Sequence, residues 1–126
     1  MSVADLQWFD RLARSEIDPV LRVIINESKD RDPDYIVDEQ LNPSPNRDRC
    51  LLSITNRNVN KQQMGGSFAI IHGTGDTLRV EQSYRWLDSG KPFPVVTLNS
   101  ADVTQDRIGL LAREFVVDFF RRVSEA

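Results

Sequence analysis

The hydrophobic pattern of this chain changes its period twice, and this limits the fold more than any other feature. Residues 3–28 and 103–124 repeat apolar side chains every three or four positions, as amphipathic helices do, whereas residues 50–98 follow the two-residue alternation of half-buried strands. A chain of 126 residues fits one domain of ordinary size. The pattern therefore predicts a single α+β domain over residues 1–126, with an antiparallel sheet between two helical segments.

The alternating region divides into four predicted strands. They cover residues 50–55, 67–72, 77–87 and 93–98. Glycine-containing turns at 73–76 and 88–91 join the last three strands, so we expect a four-stranded antiparallel meander. The preceding segment, 29–49, is charged and proline-rich and is predicted to be a loop, although a short fifth strand at 35–37 fits its pattern.

The two helical segments are predicted to cover one face of this sheet. Pro19 interrupts the first segment, but the apolar positions continue in phase, which favours two helical pieces that pack as one unit. The C-terminal helix has a wider apolar face than a helix on one sheet needs. The surplus contacts either the N-terminal helix or a protein partner, including a second copy in a homodimer. The second alternative predicts an interface of four residues: Val116, Phe119, Phe120 and Val123.

Composition excludes several classes of function. The net charge of −3 disfavours a duplex DNA-binding surface. No apolar run approaches the roughly 20 residues that span a bilayer, and Asp5 lies where a signal peptide would be basic. A cytoplasmic protein without membrane insertion is therefore predicted. The excess of 13 arginines over 3 lysines indicates a GC-rich bacterial source. With one cysteine and one histidine, neither a metal site nor a cofactor is predicted.

The strongest ligand-binding signal is the long amide-rich connection at 56–66. Arg57, Lys61 and Gln62 in this connection could hold a phosphate or a peptide backbone. A second candidate is a cavity between the sheet and the helices. Three residues would line it: His72, Tyr84 and Trp86. Cys50 and His72 could approach each other as nucleophile and base, but no nucleophile motif surrounds Cys50, and no catalytic residue is predicted.

These signals favour a non-enzymatic interaction module of the adaptor, chaperone or inhibitor type. It would use the C-terminal helix and an exposed sheet edge. One alternative is a small-molecule-binding protein or an enzyme with a cavity between sheet and helices. The other is single-stranded nucleic-acid binding on the open face of the sheet, where Arg79 and Arg85 would meet phosphates with the help of Arg57 and Lys61.

Overall fold

The computed structural model describes residues 3–40 and 47–126. The helices are α1 (Val3–Leu12), a π-helical segment (Ala13–Ile17), α2 (Asp18–Ser28) and α3 (Gln105–Glu125). The strands are β1 (Tyr35–Gln40), β2 (Arg49–Asn56), β3 (Gly66–His72), β4 (Thr77–Tyr84) and β5 (Phe93–Asn99). Short 3₁₀ helices at Val59–Met64, Asp88–Gly90 and Ser100–Asp102 lie in the connections. None of the helices in the described ranges is long and apolar enough to cross a membrane.

The strands form one antiparallel sheet in the order β1-β2-β3-β4-β5, which confirms the α+β meander in its five-stranded form. β1 is longer than the short strand at 35–37 that the pattern allows, because it pairs with β2 from Tyr35↔Asn56 to Gln40↔Leu51. β4 ends at Tyr84 rather than at residue 87. The chain turns there, and the Leu87 N–H donates to the carbonyl of Tyr84 at 2.9 Å.

The wide apolar face of α3 is explained by packing inside the chain. Phe115 lies against Phe68 of β3 with ring centroids 5.9 Å apart, and α3 also packs against α2. Val116 and Phe119, two of the residues predicted to form a protein interface, are buried in this core. Phe120 is partly buried and contacts the ring of Tyr35. The helix needs its wide face because it touches both the sheet and the N-terminal helices.

Pro19 lies in the first turn of α2, which follows α1 and the π-helical segment without a break in the helical backbone. The Asp18 N–H donates to the carbonyl of Ala13, five residues earlier, so the helix widens into a π-helical turn just before the proline. Pro19 has no N–H with which to bond the carbonyl of Ser15, four residues earlier. Gln105 Nε2, from the first turn of α3, donates to that oxygen at 3.1 Å. The proline therefore creates an acceptor that ties α3 to the N-terminal helix.

A buried ion-pair network joins the two N-terminal helices to the entry of β2. The side chain of Arg47 is only 3% exposed and lies between Asp10 of α1 and Asp18 of α2. Its Nη1 and Nη2 donate to the two Asp18 carboxylate oxygens at 3.1 and 2.6 Å, and its Nε lies 3.0 Å from Asp10 Oδ1. Charges taken out of water in this way are tolerated only when they are well paired.

Replacement of Arg47 by Met tests how strongly this network holds the fold. The substitution leaves Asp18 buried without a countercharge and leaves Asp10 with only its pair to Arg14, so we expect it to lower the free energy of unfolding by about 3–5 kcal/mol in urea titrations at pH 7. Arg22→Met is the matched control, because the Arg22–Glu39 pair is mostly solvent-exposed on the arginine side. It should cost less than about 1 kcal/mol. Equal effects of the two substitutions would contradict this account.

Candidate functional site

The structure separates the residues that the sequence groups into one ligand cavity. In the β3–β4 register, Gly66 pairs with Tyr84 and His72 pairs with Leu78. Six residue steps along β3 thus separate the two ends, which corresponds to about 20 Å along the strand. His72 is at one end of the sheet, and Tyr84 and Trp86 are at the other, so the three residues do not line a common cavity.

Two arginines hold the predicted binding connection to the rest of the chain, one within it and one beyond β4. Arg57 Nε donates to the carbonyl of Pro33 at 2.9 Å. The Gln62 carbonyl accepts a hydrogen bond from Arg85 Nη1 at 3.1 Å. Lys61 is exposed on the short 3₁₀ helix at Val59–Met64. Arg57 and Arg85 therefore donate hydrogen bonds to backbone carbonyls of the chain, and these bonds explain their positions without a ligand.

Aromatic rings fill the space where Tyr84 and Trp86 were expected to line a cavity. The Tyr84 ring stacks on Phe115 and Phe119 with centroids 5.9 and 6.3 Å apart. Trp86 packs edge-on against Phe119 at 5.6 Å. The close approach requires glycine at position 66, where a Cβ atom would lie 2.7 Å from the Ser83 carbonyl and 3.1 Å from the Phe119 ring. The glycine makes room for the core of the protein at this end of the sheet.

The Tyr84 hydroxyl anchors the second half of α3 through Asp118. It donates to Asp118 Oδ2 at 2.5 Å, and Arg122 Nε donates to the same oxygen at 2.6 Å. Arg121 also pairs with this carboxylate. Burial alone would raise the pKa of Asp118, but the hydrogen bonds from Tyr84, Arg121 and Arg122 outweigh it and lower the pKa to about 2. Burial and the bond to Asp118 raise the pKa of the Tyr84 hydroxyl.

These contacts predict a pH dependence of stability at Asp118. A carboxyl whose pKa is lower in the folded state stabilises the fold above its unfolded pKa, and this contribution is lost as the pH falls from about 4 to about 2. Asp118→Asn should therefore lower the free energy of unfolding by about 1 kcal/mol at pH 7. The difference from the wild type should shrink below pH 4, as measured by urea unfolding across this range. A difference that stays constant down to pH 2 would contradict the assignment.

Cys50 and His72 do not form a nucleophile–base pair. The Cys50 thiol donates to Asp18 Oδ1 at 3.9 Å. His72 Nε2 lies 3.0 Å from the carbonyl of Gly75, and because a carbonyl only accepts, Nε2 carries the proton. The imidazole stacks on Phe9 with centroids 5.5 Å apart. His72 is thus a buried structural residue beside α1.

The thiol of Cys50 should be unreactive in the folded protein. Burial raises its pKa to about 12, although the charge of Arg47 opposes this shift. At pH 8 this leaves a thiolate fraction of about 10⁻⁴. We expect a disulfide reagent such as dithionitrobenzoate to react at least about 100-fold more slowly with the native protein than with the urea-unfolded protein. Comparable rates in the two states would show that the thiol is accessible.

An open polar pocket of about 530 Å³ lies at the β3–β4 turn. Its lining is made of hydroxyl, backbone and arginine groups: His72, Gly73, Thr74, Gly75, Thr77, Arg79 and Thr97. The Thr77 hydroxyl donates to the Thr74 carbonyl, and Arg79 faces Glu81 across 3.8 Å. Among the residues described, no group of three or more His, Cys, Asp and Glu side chains is arranged to hold a metal ion. Two hydrogen bonds are made within this lining, from His72 Nε2 to Gly75 and from Thr77 to Thr74.

The open face of the sheet offers little to single-stranded nucleic acid. Arg79 and Arg85 are exposed, but both have partners within the chain, Glu81 and the Gln62 carbonyl. The described aromatic rings of the strands contact other core rings instead of forming a stacking platform. These rings belong to Tyr35, Phe68, Tyr84 and Phe93.

A different surface presents unpartnered apolar groups. Leu110 and Val117 of α3 are 50% and 51% exposed and lie seven residues apart, which places both on the side of the helix opposite Phe119. Val23 of α2 is 48% exposed. Val23 and Leu110 line a groove of about 530 Å³ between α2 and α3. We call this surface the outer α2–α3 face.

Ion pairs and polar groups surround the outer α2–α3 face. Arg113 of α3 donates through Nε and Nη2 to the Glu27 carboxylate of α2 at 3.1 and 2.9 Å. This hydrogen bond from Arg113 lowers the pKa of Glu27. Gln105, which bonds to the carbonyl of Ser15, also lines the groove. An apolar centre with a charged rim is the usual arrangement of a protein-binding surface.

The signal for this face was present in the sequence as a second periodicity. Leu110 and Val117 are in phase with each other but out of phase with the core positions of α3, such as Phe115 and Phe119.

No family model matches the sequence, and no curated protein and no solved structure matches the chain. The geometry of the chain itself is therefore the basis for its proposed function.

Proposed function

We propose that this chain is a non-enzymatic cytoplasmic interaction module that binds a protein through the outer α2–α3 face. One observation carries the proposal: Val23, Leu110 and Val117 are each about half exposed on one face, although the rest of α2 and α3 buries its apolar side chains well. Exposed aliphatic groups that adjoin a groove and have a charged rim are typical of interaction surfaces.

The size of this surface is consistent with reversible binding. Complete burial of a half-exposed Leu or Val side chain contributes about 1 kcal/mol. Val23, Leu110 and Val117 together would supply only part of a stable complex, so contacts from the charged rim would have to specify the partner. A surface of this kind fits a partner that adds its own helix or loop to the groove.

The edges of the sheet are less suited to binding than this face. β5 begins next to Pro92 and contains Pro94, and its pairing with β4 is irregular between Val80 and Glu81. Prolines and register shifts prevent another strand from pairing with an edge. At the opposite edge, β1 places Asp38 and Glu39 in succession, and such charges also discourage strand addition. The helical face is therefore the better candidate.

A pull-down with matched variants tests the proposal. The tagged chain would be incubated in lysate of its own source, and the retained proteins and small molecules would be quantified by mass spectrometry. We expect a stoichiometric protein, or an untagged second copy of the chain, to be retained by the wild type. Leu110→Asp combined with Val117→Asp should reduce its amount at least about tenfold, because both charges fall in the apolar centre of the face.

Val59→Asp is the control, because Val59 is exposed on the β2–β3 connection, away from the helices. This variant should retain the partner at the wild-type level. Circular dichroism and thermal unfolding would establish that all variants fold. Equal retention by the α3 double variant, or a retained small molecule without any protein, would overturn the proposal and direct attention to the pocket at the β3–β4 turn.

A further inference from the structure

We propose that the partner bound at the outer α2–α3 face is a second copy of this chain, with the two α3 helices packed antiparallel around a twofold axis. This inference rests on the proposed function, because it assigns a partner to the same face. The evidence is the order of charges along α3. Six exposed residues carry it: Asp106, Leu110, Arg113, Glu114, Val117 and Arg121.

These six residues form one continuous stripe. Steps of three and four residues connect them, with Arg113 and Glu114 side by side at the centre, and keep them on one side of the helix. The stripe from Asp106 to Arg121 extends about 22 Å at 1.5 Å per residue. Its middle is apolar at Leu110 and Val117, and Arg113 and Glu114 lie between them. An isologous interface must be complementary to itself.

One antiparallel register satisfies every position of the stripe. When the twofold axis passes between Arg113 and Glu114, Leu110 faces Val117 of the second copy. Arg113 then faces Glu114, and Asp106 faces Arg121. Each contact occurs twice because of the symmetry, so the interface contains two apolar contacts and four pairs of opposite charge. The pairs that Arg113 and Arg121 make within the chain leave other guanidinium N–H groups to donate across the interface.

The neighbouring registers place like charges together. A shift of the axis to Leu110 would bring Asp106 opposite Glu114 and Arg113 opposite Arg107. A shift to Val117 would bring Arg113 opposite Arg121. A parallel pair would oppose every charge of the stripe with its own copy. The charge order therefore favours one arrangement over its competitors, as partner-specifying charges do in paired helices.

Packing inside each chain widens the apolar centre of this interface. A Cβ atom at Gly109 would lie 3.3 Å from Val20 Cγ1, so the missing side chain allows α3 to lie close against α2. This close approach sets Val23 of α2 beside Leu110 along the groove. Val23 can then contact the second α3 helix in addition to Leu110 and Val117.

Sedimentation velocity of the pure protein tests the dimer directly. We expect the wild type to pass from monomer to dimer as its concentration rises through the micromolar range. Leu110→Asp combined with Val117→Asp should remain monomeric throughout, and Val59→Asp should dimerise like the wild type. Circular dichroism would verify that each variant is folded.

A charge-reversal pair tests the register. The substitution Asp106→Arg places an arginine opposite Arg121 of the other copy, and Arg121→Asp places an aspartate opposite Asp106 of the other copy. Each variant alone should dissociate at least about tenfold more readily, because two attractive pairs become repulsive. An equimolar mixture of the two variants restores opposite charges at both contacts and should dimerise like the wild type. Mixed dimers no tighter than either variant alone would overturn the register.

A wild type that stays monomeric up to about 1 mM would overturn the inference, since weaker association has no useful affinity. The proposed function would survive that result if the pull-down still found a protein partner that depends on Leu110 and Val117. A monomer that also retains no partner would overturn both. A dimer that the α3 double variant does not weaken would place the dimer interface elsewhere and overturn the inference, and the pull-down would then decide the proposed function separately.

Discussion

The fold depends on one buried arginine that is paired with two aspartates at the same time. Arg47 precedes β2, and Asp10 and Asp18 lie on the two N-terminal helices, so the network connects the helical layer to the sheet. Asp10 and Asp18 are eight residues apart. In a regular α-helix, eight residues correspond to two full turns plus about 80°, so the two carboxylates would point in different directions around the helix axis. The π-helical turns at Ala13–Ile17 rotate less per residue. The widened segment thus brings both carboxylates towards Arg47.

This geometry explains why a proline is accepted at position 19. The π-helical segment ends at Ile17, two residues before it, and the acceptor that Pro19 cannot reach, the Ser15 carbonyl, is bonded by Gln105. The same place in the chain therefore sets the direction of the acids and the contact with α3. Conversion of the π-helical segment to regular α-helix would turn Asp18 away from Arg47, and the buried arginine would lose its bidentate partner.

Sequence periodicity was sufficient for the fold class but not for the site. Alternation correctly indicates which side of β3 and β4 faces the helices, and His72 and Tyr84 are both on that side. It does not indicate position along the strands, so two residues at opposite ends of the sheet were assigned to one cavity. β1 was underestimated because its second half, Asp38–Gln40, carries no apolar residue. Arg47 resembles a solvated loop residue, since no local pattern identifies its distant acids.

The candidate surface was missed for a related reason: the surplus assigned to a partner included Val116 and Phe119, which the core requires. A residue count on a helical wheel cannot tell how many neighbours the helix will have, because that depends on where α2 lies.

Contacts at both ends of α3 make its outer side a suitable surface for a partner. Near the start of α3, the Gln105 side chain donates to the Ser15 carbonyl. Further along the helix, the Arg113 side chain donates to the Glu27 carboxylate. In the second half, Asp118 accepts from Tyr84 and Arg122, and the Arg122 guanidinium lies 4.9 Å from the centre of the Tyr84 ring. A helix held in this way loses little conformational freedom on binding, which improves affinity without further contacts. Because the low pKa of Asp118 keeps its carboxylate charged at any pH above about 4, α3 remains anchored at neutral pH.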